Sequence, residues 1–285
     1  CPQRPWVKQP HGPLDLVKAH AAVPPPAFGR KARTVRNFTG GLGLATSTRF
    51  RIVFEKGNEM RFISHLDLMR TWERTLRRSG LPLAYSQGHH PHLKMSFGPP
   101  LPLGYRSRAE VFDLELSRPP DLDLAGRLDE TLPDGLRVLD VRPILFKTPS
   151  LMSQLEGASY RVRFPRTFLQ EAGLDPATLR GTLEKRVEEL LRREHVLVRR
   201  QSEAQTREFD ARPSIASLQI SADETPAVLD AQLRFTLRAQ VRPEEVVALL
   251  IPSVDARTSD IERTSLWTEI GGRRLDPLEL LGART

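Results

Sequence analysis

The chain has 285 residues, with 43 Lys and Arg against 35 Asp and Glu, which gives a formal net charge of +8. No apolar run approaches the roughly 18 residues that a membrane-spanning helix needs, which excludes an integral membrane protein. The one cysteine, Cys1, excludes an internal disulfide framework, a cysteine-ligated iron–sulfur cluster and a multi-cysteine zinc site within this chain.

The basic charge is concentrated at the start of the chain. Residues 1–50 hold eight Lys and Arg and one Asp, so they carry +7 and leave +1 for residues 51–285. The run Pro24-Pro25-Pro26 and the weak periodicity around it are typical of disordered segments. We therefore predict a disordered basic tail over residues 1–48, which either grips nucleic acid through its charge or has no function.

Alternating apolar residues and helix caps predict a first folded unit over residues 49–150. Its order indicates the β-α-β-β-α-β arrangement of ferredoxin-like units. One face of the first helix is expected to pack inward through Leu66, Met69, Trp72 and Leu76. In chain order, the predicted elements are a strand at Arg49–Glu55, a short extended piece at Met60–Ile63, a helix from Ser64 to Gly80, an irregular Gly-, Pro- and His-rich stretch at Ser86–Gly104, a strand at Ala109–Leu116, a helix at Asp121–Leu132 and a strand at Leu136–Ile144.

The same order is expected again over residues 151–285, so we predict an α+β protein made of two ferredoxin-like units in tandem. Residues 205–220 are interpreted as a long insertion that holds an extra strand pair. The other predicted elements are a strand at Tyr160–Phe164, a helix from Pro176 to Glu194, middle strands at His195–Arg200 and Leu229–Gln240, a helix at Arg242–Leu250 and a last strand at Ile261–Glu269.

A string of spaced motifs runs through the first unit. It comprises Phe62-Ile63-Ser64-His65-Leu66-Asp67-Leu68-Met69-Arg70, Arg77-Arg78-Ser79-Gly80-Leu81-Pro82, Ser86-Gln87-Gly88, Pro91-His92-Leu93-Lys94, Ser96-Phe97-Gly98-Pro99-Pro100-Leu101-Pro102-Leu103-Gly104, Glu110 and Asp113. With these motifs the chain resembles the radical-SAM-linked protein family, a bacterial domain of unknown function. The likeness covers residues 49–145, with a fainter match at Asp210-Ala211-Arg212-Pro213.

The resemblance implies a cytoplasmic protein that is fused to, or encoded beside, a radical-SAM enzyme. It supplies no activity. His89 and His90 depart from the family pattern, which has an aromatic residue and asparagine there. Although His89, His90 and His92 have the chemistry of metal ligands, one short loop rarely forms a metal site, so we predict no metal and no cofactor.

A candidate cleft is predicted where the first helix meets the Ser86–Gly104 loop. Free N–H groups at a helix start favour anions, and the loop adds polar side chains. The alternative is a local cap and an ion pair between Asp67 and Arg70 or Arg74. The predicted cleft residues are His65, Asp67, His92, Lys94 and Ser96.

Two groups of arginines are candidates for phosphate contact. The first lies on the first helix and the second on the sheet of the second unit, where a solvated face or an interface between the units are the alternatives. Acidic residues and missing aromatics make the sheet of the first unit unsuitable for RNA. The candidate residues are Arg70, Arg74, Arg77, Arg78, Arg161, Arg163, Arg234 and Arg238.

Three functions follow as hypotheses. The first is an accessory or substrate-presenting module that binds RNA, or an RNA-containing assembly, and acts with a separate radical-SAM enzyme. The second is an RNA-processing enzyme with His65 as general acid or base and Lys94 stabilising negative charge. The third is a protein-interaction module that docks through Ser86–Gly104 without RNA.

Overall fold

The computed structural model describes residues 47–171, 173–201, 206–221, 227–236, 240–253, 255–256 and 259–281. The predicted disordered tail over residues 1–48 lies almost entirely outside the described residues, as does Arg238. Within the described ranges, every helix is too short or too polar to cross a membrane.

The first half of the sequence forms four strands and two helices. Met60–Ile63, predicted as extended, is a turn, because the N–H groups of Arg61 and Ile63 bond to carbonyls three residues earlier. The second helix begins later than predicted because the Asp123 side chain accepts hydrogen bonds at its first turn. The elements are β1 (Thr48–Lys56), α1 (His65–Arg78), β2 (Met95–Phe97), β3 (Arg106–Leu116), α2 (Leu124–Asp129) and β4 (Leu136–Ile144).

The second half is longer and holds two further short helices. Glycine at residue 157 lets β5 run close beneath Trp267, whose ring leaves no room for a side chain there. The elements are α3 (Leu151–Gln154), β5 (Gly157–Arg163), α4 (Arg166–Glu171), α5 (Pro176–Arg192), β6 (Leu197–Gln201), β7 (Thr206–Asp210), β8 (Ile215–Ser221), β9 (Val228–Arg234), α6 (Pro243–Leu250), β10 (Asp260–Ile270) and β11 (Arg273–Leu275).

The strand predicted at His195–Arg200 is not part of the main sheet. It is β6, which pairs only with β7 in a separate two-stranded sheet, and β8 takes the place on the main sheet. The reason is burial: β6 buries only Val198, whereas β8 places Ile215 and Leu218 in the core. A strand inside a sheet that carries helices needs an apolar face, which β6 lacks.

Nine strands form one large mixed sheet in the order β4-β1-β3-β10-β5-β9-β8, with β2 added to β3 and β11 to β10. Every pairing is antiparallel except a two-residue parallel contact of β3 with β10 at Arg106 and Ser107. The fold is therefore mixed α and β, with a large sheet and few helices. The described residues all belong to one compact unit, and the two halves share a continuous sheet.

Two apolar clusters lie on this sheet. One packs α1 and α2 on β1 and β3 around Phe54, Trp72 and Phe112, whose rings meet at centroid distances of 4.7–5.8 Å. The other packs α5 and α6 on the second half and extends into the first half at Tyr105 and Val111. The apolar core thus joins the halves as well as the sheet does.

Candidate functional site

Helix α1 forms because a cap, an apolar stripe and a glycine coincide. The Ser64 hydroxyl accepts the N–H of Asp67 at 3.2 Å and donates to its carboxylate at 2.7 Å. Gly80, with φ of 72°, follows the helix end in a conformation that favours glycine. The residues that α1 buries are Leu68, Trp72, Thr75 and Leu76.

The outer face of α1 carries a line of exposed cations, here called the arginine row and defined as Arg70, Arg74, Arg77 and Arg78. Arg70 lies 3.2 Å from the carboxylate of Asp67. Arg77 lies 2.6 Å from that of Glu73. Both pairs are solvent-exposed, and such pairs are weak because water and salt screen them, so other anions can displace these carboxylates.

The other two members of the arginine row are bound only to neutral oxygens. Arg74 donates to the Thr71 hydroxyl at 3.2 Å, and Arg78 donates to the Thr131 carbonyl at 3.1 Å. Across the described residues, neither has a carboxylate within ion-pair distance. The row therefore keeps an excess positive charge at the surface. A shallow depression of about 220 Å³ along it is lined by Arg70, Glu73, Arg74 and Arg77.

Three large apolar side chains are exposed around the N-terminal end of α1. They are Phe62, Leu66 and Leu103, here called the apolar trio, with 71%, 62% and 62% of their surface exposed. The backbone N–H of Gly104 donates to the Arg61 carbonyl at 2.8 Å. The Arg61 side chain donates back to the Gly104 carbonyl at 3.0 Å. The guanidinium of Arg61 also lies 4.9 Å from the Phe62 ring centroid, so the trio is held on a fixed backbone.

The predicted apolar stripe of α1 was partly wrong. Leu66, expected to face inward, is exposed, and Leu68 is buried instead. Buried positions 68, 72, 75 and 76 follow the helical period, and this pattern is visible in the sequence once Thr75 is counted as an inward residue. Because Leu66 is exposed, it belongs to the apolar trio and not to the core.

His65 lies beside the trio and is half-buried. Its ring meets Phe97 edge to face at 5.7 Å, and its Nδ1 atom is buried without a hydrogen-bond partner among the described residues. Burial lowers the pKa of His65, and the carboxylate of Glu110 partly offsets this. The imidazole is therefore held in its neutral form near pH 7.

Lys94 and Ser96 point away from His65. Side chains alternate across β2, and Phe97 lies on the α1 side with His65. Lys94 binds the Glu115 carboxylate at 2.8 Å on the opposite side of the sheet. Ser96 shares that side because it is two residues from Lys94. The structure therefore separates the predicted cleft residues instead of converging them.

The remaining cleft residues have local roles. Asp67 caps α1 and pairs with Arg70, and these two contacts lower its pKa, the Ser64 hydroxyl contributing most. His92 is exposed, and its backbone N–H donates to the Ser86 hydroxyl at 2.9 Å. Within the described parts of the chain, no three His, Cys, Asp or Glu side chains come together as metal ligands do.

The described arginines that were predicted on the sheet of the second half each lie beside a carboxylate. Sequence alternation placed the cations on one face but did not show that acids from β9 and β10 share it. The pairs are Arg161 with Asp230 at 3.0 Å, Arg163 with Glu262 at 3.2 Å and Arg234 with Glu269 at 3.2 Å. This face is therefore a mixed-charge surface, unlike the arginine row.

A buried polar network, not foreseen in the sequence, lies where the halves meet. Arg263 of β10 donates to the Glu110 carboxylate of β3 at 2.9 Å and to the Pro99 carbonyl at 3.0 Å. The hydroxyl of Tyr160 bonds to Arg263, and burial raises the pKa of Tyr160. The sequence did not predict the pairing of Arg263 with Glu110, because 153 residues separate them.

Lys56 fixes the segment that leads into α1. Its ammonium group lies 3.4 Å from the Arg61 carbonyl and 3.3 Å from the Ile63 carbonyl. The side chain is almost fully buried, and this burial lowers the pKa of Lys56. These contacts hold the turn that carries Phe62, so the buried lysine positions the apolar trio.

Residues 49–245 match a family described as an uncharacterized protein conserved in bacteria, DUF2344. The chain belongs to the DUF2344 family. Among curated proteins, no significant match is found. The match confirms the predicted bacterial family of unknown function, while a link to a radical-SAM enzyme stays a prediction.

The spaced motifs of the first half serve two purposes in this structure. Glu110 and Asp113 are buried acids that pair with Arg263 and Arg51, the latter at 2.8 Å, so they stabilise the fold. The start of α1, in contrast, exposes apolar and charged residues that no core contact requires. The surface of the DUF2344 domain that is free to bind something therefore includes the apolar trio and the arginine row.

Proposed function

We propose that this DUF2344 protein is an accessory, substrate-presenting module that binds RNA, or an RNA-containing assembly, through the outer face of α1. The observation that carries this proposal is the arginine row, in which Arg74 and Arg78 bind only neutral oxygens among the residues that the structure describes. Phosphates accept such guanidinium donors readily and release counterions on binding.

The contrast with the second sheet supports α1 as the contact surface. Arg161 and Arg234 have carboxylate partners there, at 3.0 Å and 3.2 Å. A phosphate approaching either arginine would meet the repulsion of that acid. On α1 the arginine row outnumbers its two acids, Asp67 and Glu73, so the local field attracts anions.

The proposed partner is a separate radical-SAM enzyme. This part rests on the resemblance of the motifs from Phe62 to Asp113 to the radical-SAM-linked family and on the absence of cluster-ligating cysteines in the sequence. We also propose that the halves are two ferredoxin-like units. The strand orders β4-β1-β3-β2 and β10-β5-β9-β8 support this because they are the same arrangement.

An enzymatic function has less support. It required His65 and Lys94 to act on one phosphodiester, but Lys94 binds Glu115 on the far side of the sheet. His65 is neutral near pH 7, but in the part of the chain that the structure describes Lys94, the second group that this hypothesis needs, does not lie beside it. Binding is therefore the function that the geometry favours.

The test is RNA binding by the full chain across a salt series. Replacing Arg74 and Arg78 together with Gln should flatten the slope of log K against log salt by about 1.4–1.8, the range for two phosphate contacts on a single strand or a duplex. The matched control replaces Arg192 and Arg199, two exposed arginines paired with acids elsewhere, and should leave the slope unchanged. Identical slopes in the parent and the α1 variant would show that α1 is not the contact surface.

A further inference from the structure

The apolar trio and the arginine row form one continuous surface. Leu66, Arg70 and Arg77 are four and seven residues apart, so they share one face of α1. Phe62 precedes α1 by three residues, and its ring lies near Gly104, which follows Leu103 in the chain. A ligand that fits this surface presents a flat or apolar group at one end and a line of negative charge along the helix.

We propose that the ligand is single-stranded RNA, with one unpaired base stacked on the Phe62 ring and the following phosphates on the arginine row. This inference rests on the proposed RNA-binding function and adds the strandedness of the RNA and a base-contacting residue. Exposed aromatic rings beside cations are the usual platform for single strands, because every base has a face that can stack.

The ring of Phe62 is prepared for stacking. Arg61 lies 4.9 Å from its centroid, and the two bonds between Arg61 and Gly104 hold the backbone on both sides. A side chain that is already held loses less conformational entropy on binding than a free one does. Leu66 and Leu103 are also exposed and would supply apolar surface for the edges of a base or sugar.

The spacing of the cations suits a strand laid along the helix. Arg70, Arg74 and Arg78 are four residues apart, about 6 Å along the axis per step. The pairs of Arg70 with Asp67 and of Arg77 with Glu73 are exposed and readily exchanged for phosphate. Duplex RNA cannot use Phe62, because its bases are stacked inside a helix whose major groove is too narrow to enter.

A protein ligand is the competing occupant of the apolar trio. An acidic partner would also neutralise the arginine row, but two leucines and one phenylalanine make a small apolar contact compared with a specific protein interface. The continuous line of four arginines beyond the trio favours a polyanion with regularly spaced charges.

The experiment compares the full chain with its Phe62→Ala variant for binding to a single-stranded uridine decanucleotide and to an RNA hairpin stem. Phe62→Ala should weaken single-strand binding roughly 5- to 150-fold, the range for loss of one base–aromatic stack. The salt slope should not change, because phenylalanine carries no charge. Binding to the stem should be weaker than to the decanucleotide and insensitive to the substitution.

Phe146→Ala, at another half-exposed phenylalanine, is the control and should bind as the parent does. In a Phe62→Trp variant, indole fluorescence should fall on adding the decanucleotide but not the stem. Equal affinity of the parent and Phe62→Ala for the decanucleotide, with the Arg74 and Arg78 variant still impaired, would overturn this inference, retain the RNA-binding function and leave the trio to a protein partner. If the parent protein binds neither RNA, both this inference and the proposed RNA-binding function are overturned.

Discussion

Arg263 of β10 and Glu110 of β3 form an ion pair across the junction of the two halves, with side chains only 1% and 6% exposed. β3 and β10 share only a two-residue parallel pairing, so few backbone bonds hold this junction. The Arg263 guanidinium adds side-chain hydrogen bonds to these few backbone bonds, because it donates to the Pro99 carbonyl as well as to Glu110. The pair thereby fixes the Gly- and Pro-rich loop against both halves.

Removing one member of this pair should destabilise the protein strongly. In Glu110→Ala the buried Arg263 charge loses its partner, and breaking such a pair typically costs about 3–5 kcal/mol. Urea unfolding followed by circular dichroism measures the change. Arg142→Ala is the control, since this arginine is an exposed partner of Asp140 and should change stability by less than about 1 kcal/mol. A similar small change in Glu110→Ala would show that the junction does not depend on this pair.

The free energy of unfolding should depend on pH through the titration of Glu244. Burial raises its pKa from 4.5 to about 7, with the neighbouring Glu245 charge adding to the effect, and the Tyr105 hydroxyl bonds to its carboxylate. The folded state therefore binds a proton that the unfolded state releases above pH 4.5. Stability should fall as pH rises from 4.5 to above 7, by up to about 3 kcal/mol from this group.

The Glu244→Gln variant tests this dependence. An amide carries no charge, so the variant should be more stable than the parent at pH 8 and nearly equal to it at pH 4.5. Chemical unfolding at a series of pH values measures the difference. Glu184→Gln, at an exposed helical position, is the control and should follow the parent. A constant difference between Glu244→Gln and the parent across this pH range would refute the assignment.

Asp210, the last residue of β7, binds the segment that leads from α5 into β6. One of its carboxylate oxygens accepts the N–H groups of Val196 and Arg212, both at 2.9 Å, and the other contacts the His195 ring at 2.9 Å. The His195 contact and these two N–H bonds lower the pKa of Asp210 to about 2. A carboxyl titration followed by NMR should therefore show Asp210 ionised well below pH 3.8.

Substitutions at Asp210 should follow its hydrogen bonds. Asp210→Ala leaves two backbone donors unsatisfied and should lower the unfolding free energy by about 1–3 kcal/mol. Asp210→Asn keeps an acceptor oxygen and should cost less. If both variants lose the same stability, charge and not hydrogen bonding at Asp210 is what matters.

Two glycines should respond oppositely to alanine. A Cβ at Gly157 would lie 2.3 Å from the Trp267 ring and 2.6 Å from the Leu233 carbonyl, so Gly157→Ala should destabilise the protein by at least about 1–3 kcal/mol. Gly181, in α5, has nothing near its Cβ, and Gly181→Ala should add up to about 1 kcal/mol through helix propensity. Thermal unfolding of both variants measures these signs, and a stable Gly157→Ala would contradict the packing at Trp267.

Local patterns were sufficient for most of the elements. The strand at Leu136–Ile144 and the cap at Ser64 are where alternation and capping residues put them. The failures lie where tertiary burial overrides a local pattern. The His195–Arg200 segment has strand propensity, but its few apolar residues leave it outside the main sheet, and Leu66 fits an apolar stripe yet remains exposed.

The candidate site was foreseen only in part. The arginine row could be recognised because helical spacing alone brings its members together. The predicted cleft depended on which face of β2 Lys94 occupies, and that is set by the pairing of β2 with β3. The apolar trio depends on the approach of Gly104 to Arg61 and Phe62, a contact across about forty residues that no local period encodes.

By itself, the amino-acid sequence determined the mixed α and β elements, the basic outer face of α1 and the bacterial family, because these depend on local periodicity and on spaced motifs. The tertiary structure decided which charges remain available for binding. Arg161, Arg163 and Arg234 look as basic in the sequence as Arg74 does, but strands far apart in the chain bring carboxylates to them. The net charge at a point on the surface depends on all the side chains around it, and the tertiary structure determines which side chains these are.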